Sequence, residues 1–221
     1  MKNKFLLVLI LITSVPIFLY ASDASFTVSA GSTFTITNTA TLDVDGDVLI
    51  NGKFDADNGT VRLTEEWNKA SAATFTGGTS TVEFYGTAIS TISGDSSFYN
   101  FTCTAAGKQI NFTDGTDQTV KNTFTLTGTS ANKIKLRSTT DATKWDITFP
   151  NGTQSVNYVD VKDSDANTNV VYCYTSINSG NNNANWIFEV QALICYSSGT
   201  LVAPWNRTLD DNTTTWSDKA A

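Results

Sequence analysis

The feature that most constrains this chain is the spacing of its apolar residues, which come in doublets two positions apart with a corner after every pair. Phe26 and Val28 are followed by Phe34 and Ile36, Leu42 and Val44, Val48 and Ile50, Phe54 and Ala56, and Val61 and Leu63. Period-two spacing predicts strands with one buried face. Threonine fills many of the alternate positions, which suits the wet side of a pleated strand. Between the doublets stand Gly31, Asp45-Gly46, Asn51-Gly52 and Asn58-Gly59. Such dipeptides turn hairpins in an antiparallel β-sandwich, the alternative fold. Sandwich strands run about five or six residues, however, and each run here buries two side chains before the next corner. A coil of very short strands with glycine and asparagine at the corners fits better. The expected fold is all-β, a parallel solenoid. The two folds differ in contacts. A solenoid sets Phe34, Leu42, Phe54 and Val61 against residues about one coil away, whereas a sandwich sets Val44 against Val48.

The pattern resumes after a segment, Glu65 to Gly78, that reads as irregular and able to hold a helical turn or two. Val82 and Phe84, Ile89 and Ile92, and Phe98 and Phe101 come next, then Ile110 and Phe112, Phe124 and Leu126, and Ile134 and Leu136. Trp145, Ile147 and Phe149 precede Val159 and Val161, and a polar stretch from Asn178 to Asn185 closes at Trp186-Ile-Phe188. At roughly 20 residues per coil and about 4.8 Å per rung, residues 25–188 make some eight coils, about 40 Å long. Residues 189–221 change character: Leu193 to Tyr196 and Leu201 to Trp205 flank Ser198-Gly199 and read as a hairpin, the tail of a shortened chain or the start of a further β module.

Residues 1–24 read as a secretory signal peptide. Lys2 and Lys4 open it, a largely apolar run from Phe5 to Phe18 follows, and small residues at Ala21, Ser22 and Ala24 supply the cleavage zone. The run is shorter than the roughly 18 unbroken apolar residues of a spanning helix, so the mature chain is expected to be secreted or held at the outer cell surface with no membrane span. With those two lysines gone, 12 of the 14 basic residues face 21 acidic ones, a net charge of −9. That balance disfavours nucleic acid as a partner.

The chain has no histidine, which excludes histidine triads, histidine zinc sites and the usual general base near neutral pH. Cys103, Cys173 and Cys195 have no metal-ligand spacing and read as small buried hydrophobes, though one disulfide is open to an exported protein. Asp163, Asp165 and Asn167 match the first, third and fifth positions of a calcium loop, but Thr168 and Tyr174 replace the glycine and glutamate it needs. A polar corner is the better reading. Asp43, Asp45 and Asp47 alternate with Leu42 and Val44 and read as the wet face of a strand. Acid pairs facing each other about 5–9 Å apart could cleave glycosides, but stacked outward acids are expected on any solenoid. No enzyme, metal or cofactor is therefore expected.

Among the tryptophans, Trp145 is in phase with Ile147 and Phe149 and reads as core, Trp186 as an end plug, and Trp67 as the best candidate for exposure to a sugar ring. The segment Thr208 to Trp216 is similar to the Asp-box turn of β-propellers, with Asn212 where glycine is usual. Asn58, Asn100, Asn111, Asn151, Asn206 and Asn212 meet the N-glycosylation rule.

The stretches Val28-Ser-Ala-Gly-Ser-Thr-Phe-Thr-Ile and Ala40-Thr-Leu-Asp-Val-Asp-Gly-Asp-Val-Leu-Ile-Asn-Gly-Lys-Phe resemble the repeats of bacterial surface β-helix proteins. Ser97-Phe-Tyr-Asn-Phe-Thr, Tyr158 to Ala166 and Gly180 to Phe188 fit the same group, which holds autotransporter passengers, filamentous-haemagglutinin-like adhesins and repetitive envelope proteins. The resemblance covers residues 25–188. It implies a right-handed parallel β-helix serving as a structural or adhesive surface module, with carbohydrate binding or polysaccharide cleavage as the alternative. The chain departs from autotransporters in having no C-terminal translocating barrel. Expected partners are an extracellular glycan or protein surface, or sister chains joined by end-to-end strand pairing, because open rod ends leave backbone groups unpaired.

Overall fold

A computed structural model describes residues 18–22, 25–167, 169–180 and 182–189, with only the backbone at 18–22 and 189. Contacts divide the chain into two compact units, 1–190 and 191–221. All strands described here belong to the first. The expected hairpin tail, the Asp-box segment, Cys195 and the last two glycosylation motifs lie outside the described residues, as does most of the expected signal peptide.

The described residues contain strands and no helix, and every strand pairing is parallel. The chain winds through three faces in turn. The first coil is β1 (Phe18–Ser22), β2 (Phe26–Val28) and β3 (Thr33–Thr35), one strand per face. The second is β4 (Thr41–Asp45), β5 (Val48–Ile50) and β6 (Lys53–Asp55). The third is β7 (Thr60–Leu63), β8 (Trp67–Lys69) and β9 (Thr74–Thr76). This is a β-solenoid, and the sandwich alternative is excluded. Phe34 pairs with Phe54, Leu42 with Val61 and Val48 with Trp67, each one coil apart. The second face is eight strands deep, so its seven steps span about 34 Å at the usual rung spacing.

The third face persists in altered form. In the strands Ser96–Cys103 and Asp117–Thr127 it runs straight into the first face, with a register shift between Phe98 and Asn100. It then continues through Trp145–Thr148 and Ser164–Ala166 to an isolated bridge at Ala184.

Burial follows the doublets. Leu42, Val61, Val82, Phe101 and Phe124 form one inward column, and Val44, Leu63, Phe84, Cys103, Leu126, Val156 and Cys173 a second. On the third face Phe34, Phe54, Phe75 and Phe98 stack with centroid spacings of 5.7, 5.5 and 6.0 Å. Corners are tight. A Cβ on Gly78 would lie 2.1 Å from the Asp57 carbonyl oxygen of the coil before it, and its φ is +50°, so only glycine fits that close approach.

Three expectations need correction. Glu65 to Gly78 is neither irregular nor helical: β8 and β9 are ordinary rungs within it. Trp67 is fully buried, paired with Val48 and Ile92 and 4.8 Å from Phe75. Ile89 is not an inward partner of Ile92; it is 57% exposed in a corner, and Ser90 takes the buried position. Ile89 lies in the corner before the strand Ser90–Ser93, and within that regular strand the inward positions are two apart, at Ser90 and Ile92.

Candidate functional site

Outward side chains form ladders because each parallel rung places its residue over the one before. On the first face Asp43, Arg62 and Glu83 occupy successive rungs. Arg62 Nη1 donates to Asp43 Oδ2 at 2.7 Å and Nε to Glu83 Oε2 at 2.8 Å, while its guanidinium lies 4.3 Å from the centre of the Tyr85 ring. Burial, and then the Asp43 carboxylate, push the Tyr85 hydroxyl up. Asp45 accepts from Thr64 Oγ1, and Asp47 from the Glu66 amide. Asp43 and Asp45 are thus on the outer face of β4, as expected, Asp47 lies in the corner that follows it, and the contacts of all three lace coils together. A second ladder lies on the second face, where Arg137 donates to Asp160, which also accepts from Ser179.

The A-to-B corners, from the first face to the second, hold a group that the sequence did not advertise. Lys108 is fully buried. Its Nζ donates to the Thr64 carbonyl at 3.0 Å and the Ala88 carbonyl at 2.8 Å, corners two coils and one coil before its own. Burial pulls its amine down to about 8, against the charges of Cys103 and Glu65. Cys103 is buried and free, its thiol pushed up to about 11 by burial. Cys173 is also buried and free, and raised by burial. Neither thiol is poised for chemistry, since reactivity needs access and an accessible thiolate.

Asp163, Asp165 and Asn167 are not brought together as a cation loop. Asp163 is buried and bonded to the Asn182 side chain. Asp165 faces out, 3.6 Å from Lys144 Nζ, and accepts from Asn185, while the Asn167 amide donates to the Ile147 carbonyl. Among the described residues no three His, Cys, Asp or Glu side chains could hold a metal ion. The aspartates instead meet the polar stretch Asn178 to Asn185. Asn182 and Asn183 accept from the amides of Asp163 and Ser164, and Asn183 also donates to the Val161 carbonyl. Side-chain amides here take the place of the rung the backbone would otherwise supply.

Trp145 is core, stacked 3.7 Å from Phe112, and Trp186 covers it at 6.4 Å while donating to Ser164 Oγ. Asn100 is held by Ser80, Thr81, Asn122 and Thr123, which makes it a ladder residue.

One surface region breaks the polar exterior. Val171–Tyr174 on the first face carries Tyr172 and Tyr174 outward, 51% and 36% exposed. Ile187 stands beside Tyr172 on the next rung at 40%, with Val170 and Ile177 nearby in sequence and also exposed. Tyr172 and Tyr174 line a shallow groove of about 490 Å³ with Asn151, Gln154 and Asn169. The apolar face invites contact, the Asn151 and Gln154 amides offer paired donors and acceptors, and the Asn169 amide donates to the Phe149 carbonyl.

No protein-family model, curated protein or solved structure matches this chain. Among the described residues no helix is long and apolar enough to cross a membrane.

Proposed function

We propose that the chain is a non-enzymatic structural and adhesive module, secreted or held at the outer cell surface, of the kind the repeats of bacterial surface β-helix proteins build. The observation that carries the reading is that the exposed large apolar residues described, apart from Ile89, gather in one region that includes Tyr172, Tyr174 and Ile187. A contiguous apolar patch on a soluble surface marks a contact site, and tyrosine supplies large contact area at little entropic cost. The N-terminal signal pattern supports export, and the net charge supports extracellular partners over nucleic acid.

The carbohydrate reading is favoured by one feature of the same groove. Asn151, Gln154 and Asn169 beside two tyrosines match the hydroxyls and apolar faces of a neutral sugar. Binding of the exported chain to arrays of extracellular matrix proteins and glycans tests both. Tyr172→Ser with Tyr174→Ser should abolish capture while leaving the β circular dichroism spectrum unchanged. Gln154→Ala should weaken capture only if the ligand is a glycan. Capture that survives loss of both tyrosines would remove the adhesive reading, and turnover of a polysaccharide would remove the non-enzymatic one.

A further inference from the structure

Each coil runs through the faces in the order A, B, C, where A carries β1, β4 and β7, B carries β2, β5 and β8, and C carries β3, β6 and β9. The first A strand lies inside the segment read as a signal peptide. Its five residues pair in parallel with β4, from Phe18 opposite Thr41 to Ser22 opposite Asp45. Cleavage after Ala21 or Ala24 removes all or nearly all of that strand. The exported chain then begins with B and C, and the β4 edge stands bare.

The other end has the reverse form. The last coil of the described residues has its A strand at Val171–Tyr174, its B strand at Ile177–Asn178 and a C-face bridge at Ala184. One more A strand, Trp186–Glu189, then opens a new coil, and no described B or C strand follows it. Among the described residues, one end is thus an A strand short after cleavage, and the other ends on an A strand.

We infer that exported copies join head to tail, with the Trp186–Glu189 strand of one copy taking the place of β1 against β4 of the next. The two partial coils add up to one complete A, B, C coil. The direction is right, because both strands run parallel to their neighbours. The inward phase is also right. Phe188 continues the column of Cys173, Val156 and Leu126, and that column begins at Val44. Phe188 would therefore meet Val44, and Trp186 would meet Leu42, the positions that β1 opposes with Ala21 and Leu19. Phe26 and Phe34, half-buried and 4.8 Å apart at the N-terminal end, gain cover from the incoming coil. The outward phase is less well matched. It opposes Glu189 to Asp45, and like charges directly across a pair of strands weaken it.

The inference rests on the export reading, and its test separates the two. The chain beginning at Ser25 is compared with the chain beginning at Phe18 by analytical ultracentrifugation and negative-stain microscopy. The shorter chain should form linear, concentration-dependent oligomers one rod wide, and the longer should stay monomeric at the same concentrations. Added salt should strengthen the association, and Glu189→Lys should strengthen it several-fold at low salt by turning the repulsion into an ion pair. A folded Ser25 chain that stays monomeric at high micromolar concentration, or equal association of both chains, would overturn the inference. N-terminal sequencing of the secreted protein tests the cleavage alone: an intact Met1 would remove the signal-peptide reading whatever the shorter chain does in solution.

Discussion

The coils before Phe98 and those after Val159 solve the same problem with different chemistry. In the early coils each face has its own strand, and the third face is closed by four stacked phenylalanines, Phe34, Phe54, Phe75 and Phe98. In the late coils the third face keeps a three-residue strand at Ser164–Ala166 but ends in a single bridge at Ala184, and Asn182, Asn183 and Asn185 hold the corner by amide hydrogen bonds. Packing energy scales with buried area and tolerates no missing rung. Hydrogen bonds tolerate short strands, provided every buried group finds a partner. The exposed tyrosines sit on the late coils, where the framework is held by directional bonds.

The comparison predicts unequal costs. Phe54 is 1% exposed between Phe34, Phe75 and Trp67. Phe54→Ala should cost about 3–5 kcal/mol in chemical denaturation, the range for a large buried aromatic. A cost below that of a surface substitution would mean the aromatic stack is not what closes the early coils. Asn183→Ala removes three hydrogen bonds and should cost about 1–3 kcal/mol. That loss should show as faster amide exchange at Ser164, with the coils around Phe54 unaffected, because coils hold mainly their nearest neighbours.

Smaller effects test the polar groups that lace the rod. A lysine at about 8 when folded and 10.5 when free binds fewer protons folded than unfolded between those values. Stability should therefore rise with pH above about 8, by at most about 1.4 kcal/mol per pH unit. Cys103 and Cys173 act in the opposite sense above their ordinary value of 9, since burial makes both folded thiols keep their protons, Cys103 up to about 11. The net expectation is a rise between about pH 8 and 9 that reverses above it, and the rise should vanish in Lys108→Met. The smallest effect is that of Arg62→Ala. Its two ion pairs are a third exposed on the arginine side, so the loss should be about 1 kcal/mol or less and shrink with added salt.

How much of this was legible follows from which signals the residues carry. The doublets and corners were enough to find the rungs and to prefer a coil to a sandwich, because inward positions in so narrow a core must be apolar at nearly every step. Trp67 was misread because Asn68, Lys69 and Ser71 surround it with polar residues, and a three-residue rung shows only one inward side chain. Lys108 was missed because its burial depends on carbonyls from corners 20 and 44 residues away. The tyrosine patch was hidden in Val171-Tyr172-Cys173-Tyr174. Both phases of that strand are apolar or aromatic, and only the register of its neighbours shows which side faces water.

Lys108 has a mechanical consequence. In a rod of stacked rungs, tension along the axis loads the rung-to-rung interfaces in series, and the weakest one yields first. A side chain that grips corners one and two rungs away bypasses one of those interfaces, so two must open together before the rod can extend there. Under load, rupture should begin away from the corners at Thr64, Ala88 and Lys108.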